Sequence, residues 1–77
     1  MTHKIPVTAG QLVAIQDDPQ PMKMLVEKQE QEFTVGDYAW FILYDGERPA
    51  GLVCRRIVRV KTSGPGVEDD CVILEVQ

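Results

Sequence analysis

The run Phe33-Thr34-Val35-Gly36-Asp37-Tyr38-Ala39-Trp40-Phe41-Ile42-Leu43-Tyr44-Asp45-Gly46 contains a turn, a strand and a second turn. Val35-Gly36-Asp37 carries turn chemistry, because Gly supplies unusual backbone angles and Asp bonds its own backbone. Tyr38 to Tyr44 is apolar on both faces that a period of two creates. Tyr38, Trp40, Ile42 and Tyr44 fall on one, Ala39, Phe41 and Leu43 on the other. Such a strand is expected at the centre of a sheet, covered on both sides. Asp45-Gly46 is a strong hairpin signal, although Glu47-Arg48-Pro49-Ala50 predicts a connection longer than two residues.

Toward the C-terminus, Gly51 to Lys61 reads as the next strand, broken by Thr62-Ser63-Gly64-Pro65-Gly66. Cys71 to Val76 closes the chain, with Cys71, Ile73 and Glu75 opposite Val72, Leu74 and Val76. Toward the N-terminus, Met22, Met24 and Val26 alternate with Lys23, Leu25 and Glu27, which predicts another strand ahead of the polar tail Lys28 to Glu32. Before it, Thr8 stands three residues ahead of Gln11, the spacing of a capping box, and Leu12 and Ile15 follow at helical spacing. A helix is therefore predicted over 9–16. Asp17-Asp18-Pro19-Gln20-Pro21 ends it, since two prolines in three residues cannot continue a helix. Lys4-Ile5-Pro6-Val7 is a short extended entry. The expected fold is a single domain, residues 1–77, mostly β (α+β): a small, mostly antiparallel β-barrel or curled sheet of about five strands with one short N-terminal helix plugging an end.

Seventy-seven residues hold one core at most, which excludes an enzyme with its site between two domains. Hydrophobic residues at 44% and charged residues at 26% match globular averages, so neither a disordered tail nor a membrane span is expected. No 18 apolar residues run together, and Met1 to Pro6 has no apolar leader-like core, so a cytoplasmic protein with no membrane association is the expectation. The net charge of -4 argues against tight, non-specific DNA binding, because phosphate neutralisation dominates such affinity. Charge is uneven, however. Arg55, Arg56, Arg59 and Lys61 fall within seven residues of one another.

Cys54 and Cys71 are too few for a disulfide framework and lack metal-site spacing, and both lie in apolar runs that predict burial. His3, the one histidine, cannot build a histidine cluster and is expected at a solvated edge. Asp17-Asp18 and Glu68-Asp69-Asp70 read as solvated turns, and Gly64-Pro65-Gly66 lacks the lysine and following helix of a phosphate loop. No metal and no cofactor are expected. The candidate site is the basic strip. With strict alternation Arg55, Ile57, Arg59 and Lys61 share one face, and three cations within about 20 Å match phosphates along a nucleic-acid strand. The same side chains could instead pair across strands with Glu27, Glu30 or Glu75. Trp40 and Tyr44 offer stacking surfaces for bases, or serve the core.

The helix Gln11-Leu12-Val13-Ala14-Ile15, the strand after it, the turn Phe33-Thr34-Val35-Gly36-Asp37, the strand ending Leu43-Tyr44-Asp45, and Arg55 before a Val/Ile-rich stretch resemble the ASCH (activating signal cointegrator homology) branch of the PUA-like superfamily. More narrowly, the chain resembles small bacterial and phage ASCH-related proteins. The resemblance runs from about His3 to Val76. It implies a small β-barrel with a helix near its mouth and RNA binding in a cleft beside the helix-to-strand connection. Some relatives hydrolyse acetylcytidine with a lysine, a threonine and a glutamate there, in a Gly-x-Lys-x-x-Glu-x-Arg signature. Aligned back from Val35-Gly36-Asp37, this chain has Gln20, Met22, Leu25 and Glu27 at those positions. A shift of one residue puts Pro21, Lys23, Val26 and Lys28 there instead. Neither register restores a nucleophile with a proton-transfer partner.

A non-catalytic module for RNA or a nucleotide-like ligand is the resulting expectation, with Arg55, Arg59, Lys61, Lys23 and Lys28 as phosphate contacts and Trp40 as a stacking platform. The alternative is a protein-interaction module that kept the barrel and lost nucleic-acid binding, motivated by the net charge and by Met22, Met24 and Leu25. An acetylcytidine amidohydrolase is the third reading.

Overall fold

The structure is a computed structural model describing residues 1–77. Its elements are β1 (Thr2–Pro6), α1 (Ala9–Asp17), β2 (Met22–Glu27), β3 (Tyr38–Asp45), β4 (Arg48–Lys61) and β5 (Cys71–Val76). The strands form one five-stranded sheet in the order β1-β3-β4-β5-β2. β1 runs parallel to β3, and every other pair is antiparallel. No ladder joins β1 to β2, so the sheet stays open where a barrel would close. In place of a ladder, the Gln29 side chain donates from Nε2 to the Lys4 carbonyl at 2.7 Å. Pro6 suits the free edge of β1, where a missing N–H costs no ladder bond.

Thr8 and Gln11 form the capping box. The Gln11 N–H donates to Thr8 Oγ1 at 3.1 Å and the Thr8 N–H to Gln11 Oε1 at 2.8 Å, which satisfies two backbone donors that a helix start leaves free. Leu12 and Ile15 are the buried face of α1, which packs on β3 and β4. The inner face of the sheet supplies the rest of a single core. Phe41, Ile57, Leu74 and Val76 are fully buried there, each side chain contributing about 1.5–3 kcal/mol through removal from water. No helix is long and apolar enough to cross a membrane.

Three local readings are corrected. The β3–β4 connection is a two-residue turn: Asp45 pairs with Arg48 across Gly46-Glu47, and Gly46 has φ +64°, as a hairpin turn with glycine first requires. A register shift after Leu43 absorbs the extra residue, so Pro49 lies inside β4 at an irregularity where it breaks no regular ladder. The second face of β3 is covered only in part: Ile42 is buried there, Trp40 is half-buried, and Tyr38 and Tyr44 are exposed. His3 is not a solvated residue. It is buried, Nε2 lies 2.7 Å from Asp37 Oδ2, and its ring packs 4.6 Å from that of Phe33.

These contacts explain the turn ahead of β3. Thr34 to Asp37 closes with the Asp37 N–H on the Thr34 carbonyl at 3.0 Å, and Gly36 takes φ +98°, the third-position geometry that favours glycine. Gly36 N–H donates to the Ile57 carbonyl at 2.9 Å and Ile57 N–H to the Asp37 carbonyl at 2.8 Å. Phe33 and Asp37 hold β1 through His3, while the backbone between them holds the middle of β4. The turn thereby joins three strands.

Candidate nucleic-acid interface

β4 belongs to both halves of the sheet. Residues up to Arg56 pair with β3, and from Ile57 onward they pair with β5. Between Ile57 and Arg59 the register shifts, so Val58 is an extra residue on this strand. A bulge of this kind bends its strand and raises its twist. It also resets the alternation. Val53, Arg55 and Ile57 point inward, whereas Arg56, Arg59 and Lys61 are exposed on the outside.

The expected strip of Arg55, Arg59 and Lys61 on one face is therefore not formed. Arg55 turns toward α1, donating from Nη2 to the Ile15 carbonyl at 3.3 Å and from Nη1 to the Cys54 carbonyl at 3.1 Å. Its Nε is buried and has no partner. Since α1 has no basic residue in its last turn, Arg55 supplies the positive charge that favours a helix C-terminus. These contacts tie the strand to the helix and direct the guanidinium away from the outer face.

The register builds the outer face. Thr2, Lys4 and Pro6 of β1 lie opposite Tyr38, Trp40 and Ile42 of β3, and these lie opposite Arg56, Cys54 and Leu52 of β4. In the other half, Lys23, Glu75 and Arg59 share one row, Leu25, Ile73 and Lys61 the next, and Glu27 lies beside Cys71. The face therefore carries five cations (Lys4, Lys23, Arg56, Arg59, Lys61) against two carboxylates (Glu27, Glu75). It is net +3 on a chain of net -4, leaving net -7 elsewhere.

Those cations are not consumed internally. The ion pairs of the fold are the N-terminal amino group with Asp37 and His3 with Asp37. Pairing with Glu27, Glu30 or Glu75, the bland expectation for the strip, does not occur. Lys61 donates from Nζ to the Pro65 carbonyl at 3.2 Å, which ties one cation to its neighbouring loop.

Of the sequence-predicted residues, Arg59, Lys61, Lys23 and Trp40 share the outer face. Lys28 does not. It follows β2, where its N–H donates to the Asp70 carbonyl at 2.8 Å, and it lines a hollow of about 500 Å³ with Glu30, Glu32 and Phe33. Tyr44 lies beyond the Leu43 register shift, paired with Pro49. Lys4, Tyr38 and Arg56 were missed. Lys4 reaches the face only because β1 joins β3 in parallel, and Arg56 only because the alternation before the bulge puts it opposite Arg55. Their sequence signals were the shared period of Tyr38 and Trp40 and the place of Arg56 among four basic residues within seven positions.

A hollow of about 320 Å³ between β1 and β2 is lined by Ile5, Val7, Met24, Leu25 and Val26, with Gln11, Glu27 and Lys28 also contributing. Its lining is evenly divided between apolar and polar side chains. Both cysteines are free, and Cys54 is exposed rather than buried. Burial, reinforced by the carboxylates of Glu68, Glu27 and Asp70, pushes the Cys71 thiol above its ordinary value, which disfavours the nucleophilic thiolate. No group of three or more His, Cys, Asp or Glu side chains converges to hold a metal ion. No family model matches the chain, and no curated protein is significantly similar to it.

Proposed function

We propose that the chain is a non-catalytic RNA-binding module of the ASCH, PUA-like kind, and that RNA lies on the outer face of the sheet rather than in a cleft. The observation that carries this reading is the segregation of unpaired cations around two accessible aromatics on an otherwise acidic protein. Lys4, Arg56 and Arg59 would take phosphates, which position a nucleic acid, while Tyr38 and Trp40 would stack on bases. The PUA-like assignment is supported by the mostly β composition and by the strand-helix-strand order at the start of the chain. The non-catalytic assignment is supported by Met22 and Leu25 at the family's reactive positions, where neither side chain moves a proton or attacks a carbonyl.

Fluorescence anisotropy with labelled RNA tests the reading. Binding at low salt should weaken as salt rises, and the slope of log K against log salt should fall by about one for each of Arg56→Ala and Arg59→Ala. Arg55→Ala should leave the slope unchanged. If the unmodified protein fails to bind at low salt, RNA binding is excluded and the protein-interaction reading gains, for which Met24, Leu25 and Val26 along the hollow between β1 and β2 are the motivating feature.

A further inference from the structure

Resting on that function, we infer that the ligand is a single strand gripped over about three nucleotides, with little sequence preference, and that duplexes are excluded from the aromatic part of the face. Shape is the first argument. The inner faces of all five strands contribute to one core. With β4 bent at Val58, the sheet wraps that core and its outer face is convex. A rigid duplex touches a convex surface along a line, whereas a flexible single strand drapes over it.

Side-chain chemistry is the second argument. Tyr38 and Trp40 are two residues apart on β3 and stand about 7 Å from one another along the strand. That gives two stacking positions, and stacking on a side chain requires bases that are unpaired and splayed out. Next along the same face Ile42 is buried, and its neighbour across the ladder, the exposed Leu52, supplies an apolar contact for a third base or a ribose. On the other side of the aromatics, Arg56 and Arg59 continue along β4 as a phosphate track.

Composition of the platform sets its selectivity. The side chains opposite Tyr38 and Trp40 are Thr2, Lys4, Cys54 and Arg56. None is an amide or a carboxylate, the groups that read adenine and cytosine edges, and Lys4 and Arg56, which could read guanine, are the groups assigned to phosphates. Stacking, by contrast, tolerates any base.

The test uses the full chain, oligonucleotides of two to twelve residues of each homopolymer, and a twelve-base-pair RNA duplex at one salt concentration. Affinity should rise steeply to about three or four nucleotides and then only with the number of overlapping sites, and should exceed that for the duplex about tenfold or more. Single strands should quench Trp40 fluorescence and the duplex should not. Trp40→Ala should weaken single-strand binding about fivefold or more, with Trp40→Phe, which keeps a stacking ring and the packing, recovering most of it. Duplex binding as tight as single-strand binding, or a Trp40→Phe protein as weak as Trp40→Ala, overturns the inference while leaving RNA binding in place. Failure to bind either form removes the proposed function itself.

Discussion

Asp37 gathers three donors: His3 at 2.7 Å, the Thr34 N–H at 3.2 Å and the N-terminal amino group at 3.4 Å. The His3 hydrogen bond, aided by the amino group and the Thr34 N–H and opposed by desolvation, holds the Asp37 carboxyl below its ordinary value of 3.8. A value lower in the folded than in the unfolded state means stabilisation that is present above pH 3.8 and lost as pH falls through the folded value. The denaturation midpoint should accordingly drop in acid, and Asp37→Asn should flatten that acid limb. An unchanged pH profile in the variant would assign the loss to other carboxylates. Arg55 is the second instructive residue. Because it donates to Ile15 and Cys54 carbonyls from a half-buried position, Arg55→Ala should cost about 1–2 kcal/mol in urea unfolding. A variant as stable as the wild type would show the contacts to be idle.

At the scale of elements, α1 is short enough for its cap to matter. Thr8→Ala removes the acceptor for the Gln11 N–H and should cost about 1 kcal/mol, read as a lower denaturation midpoint with an unchanged slope. Thr8→Asp, which keeps an acceptor, should recover most of it. The helix and four of the strands were legible because each has a run of apolar residues at its own period, from Leu12 and Ile15 to Val72, Leu74 and Val76. β1 reads only as a short extended entry, because Ile5 is its one large apolar side chain. The start of β4 was not. Pro49 looked like a loop residue, and only the register shift after Leu43 lets it lie in a strand. The face of Arg55 relative to Arg59 was not legible either, because the bulged residue Val58 is chemically identical to the β-branched residues around it. His3 gave no sign of burial, since its partners Phe33 and Asp37 lie some thirty residues away.

For the whole molecule, the decisive property is where charge resides. Glu75 sits in the row between Lys23 and Arg59, the one carboxylate amid the β4 cations. Glu75→Gln should therefore tighten RNA binding by about twofold to fivefold at low salt, an advantage that fades as salt screens the face. Equal affinity at every salt would place the phosphate path elsewhere. The candidate site was only partly legible for the same reason. Lys23, Arg59, Lys61 and Trp40 could be named from the chain, but their company could not, because Lys4 and Arg56 join them through pairings between distant segments. The amino-acid sequence by itself determined the helix with its cap, the apolar cores of β2 to β5 and most of the inward apolar set, since each follows from residue types a few positions apart. The tertiary structure decided which strands are edges, that the sheet stays open, and which cations share a surface. Side-chain alternation is local, but strand pairing and the placement of a bulge are settled by contacts across the whole fold.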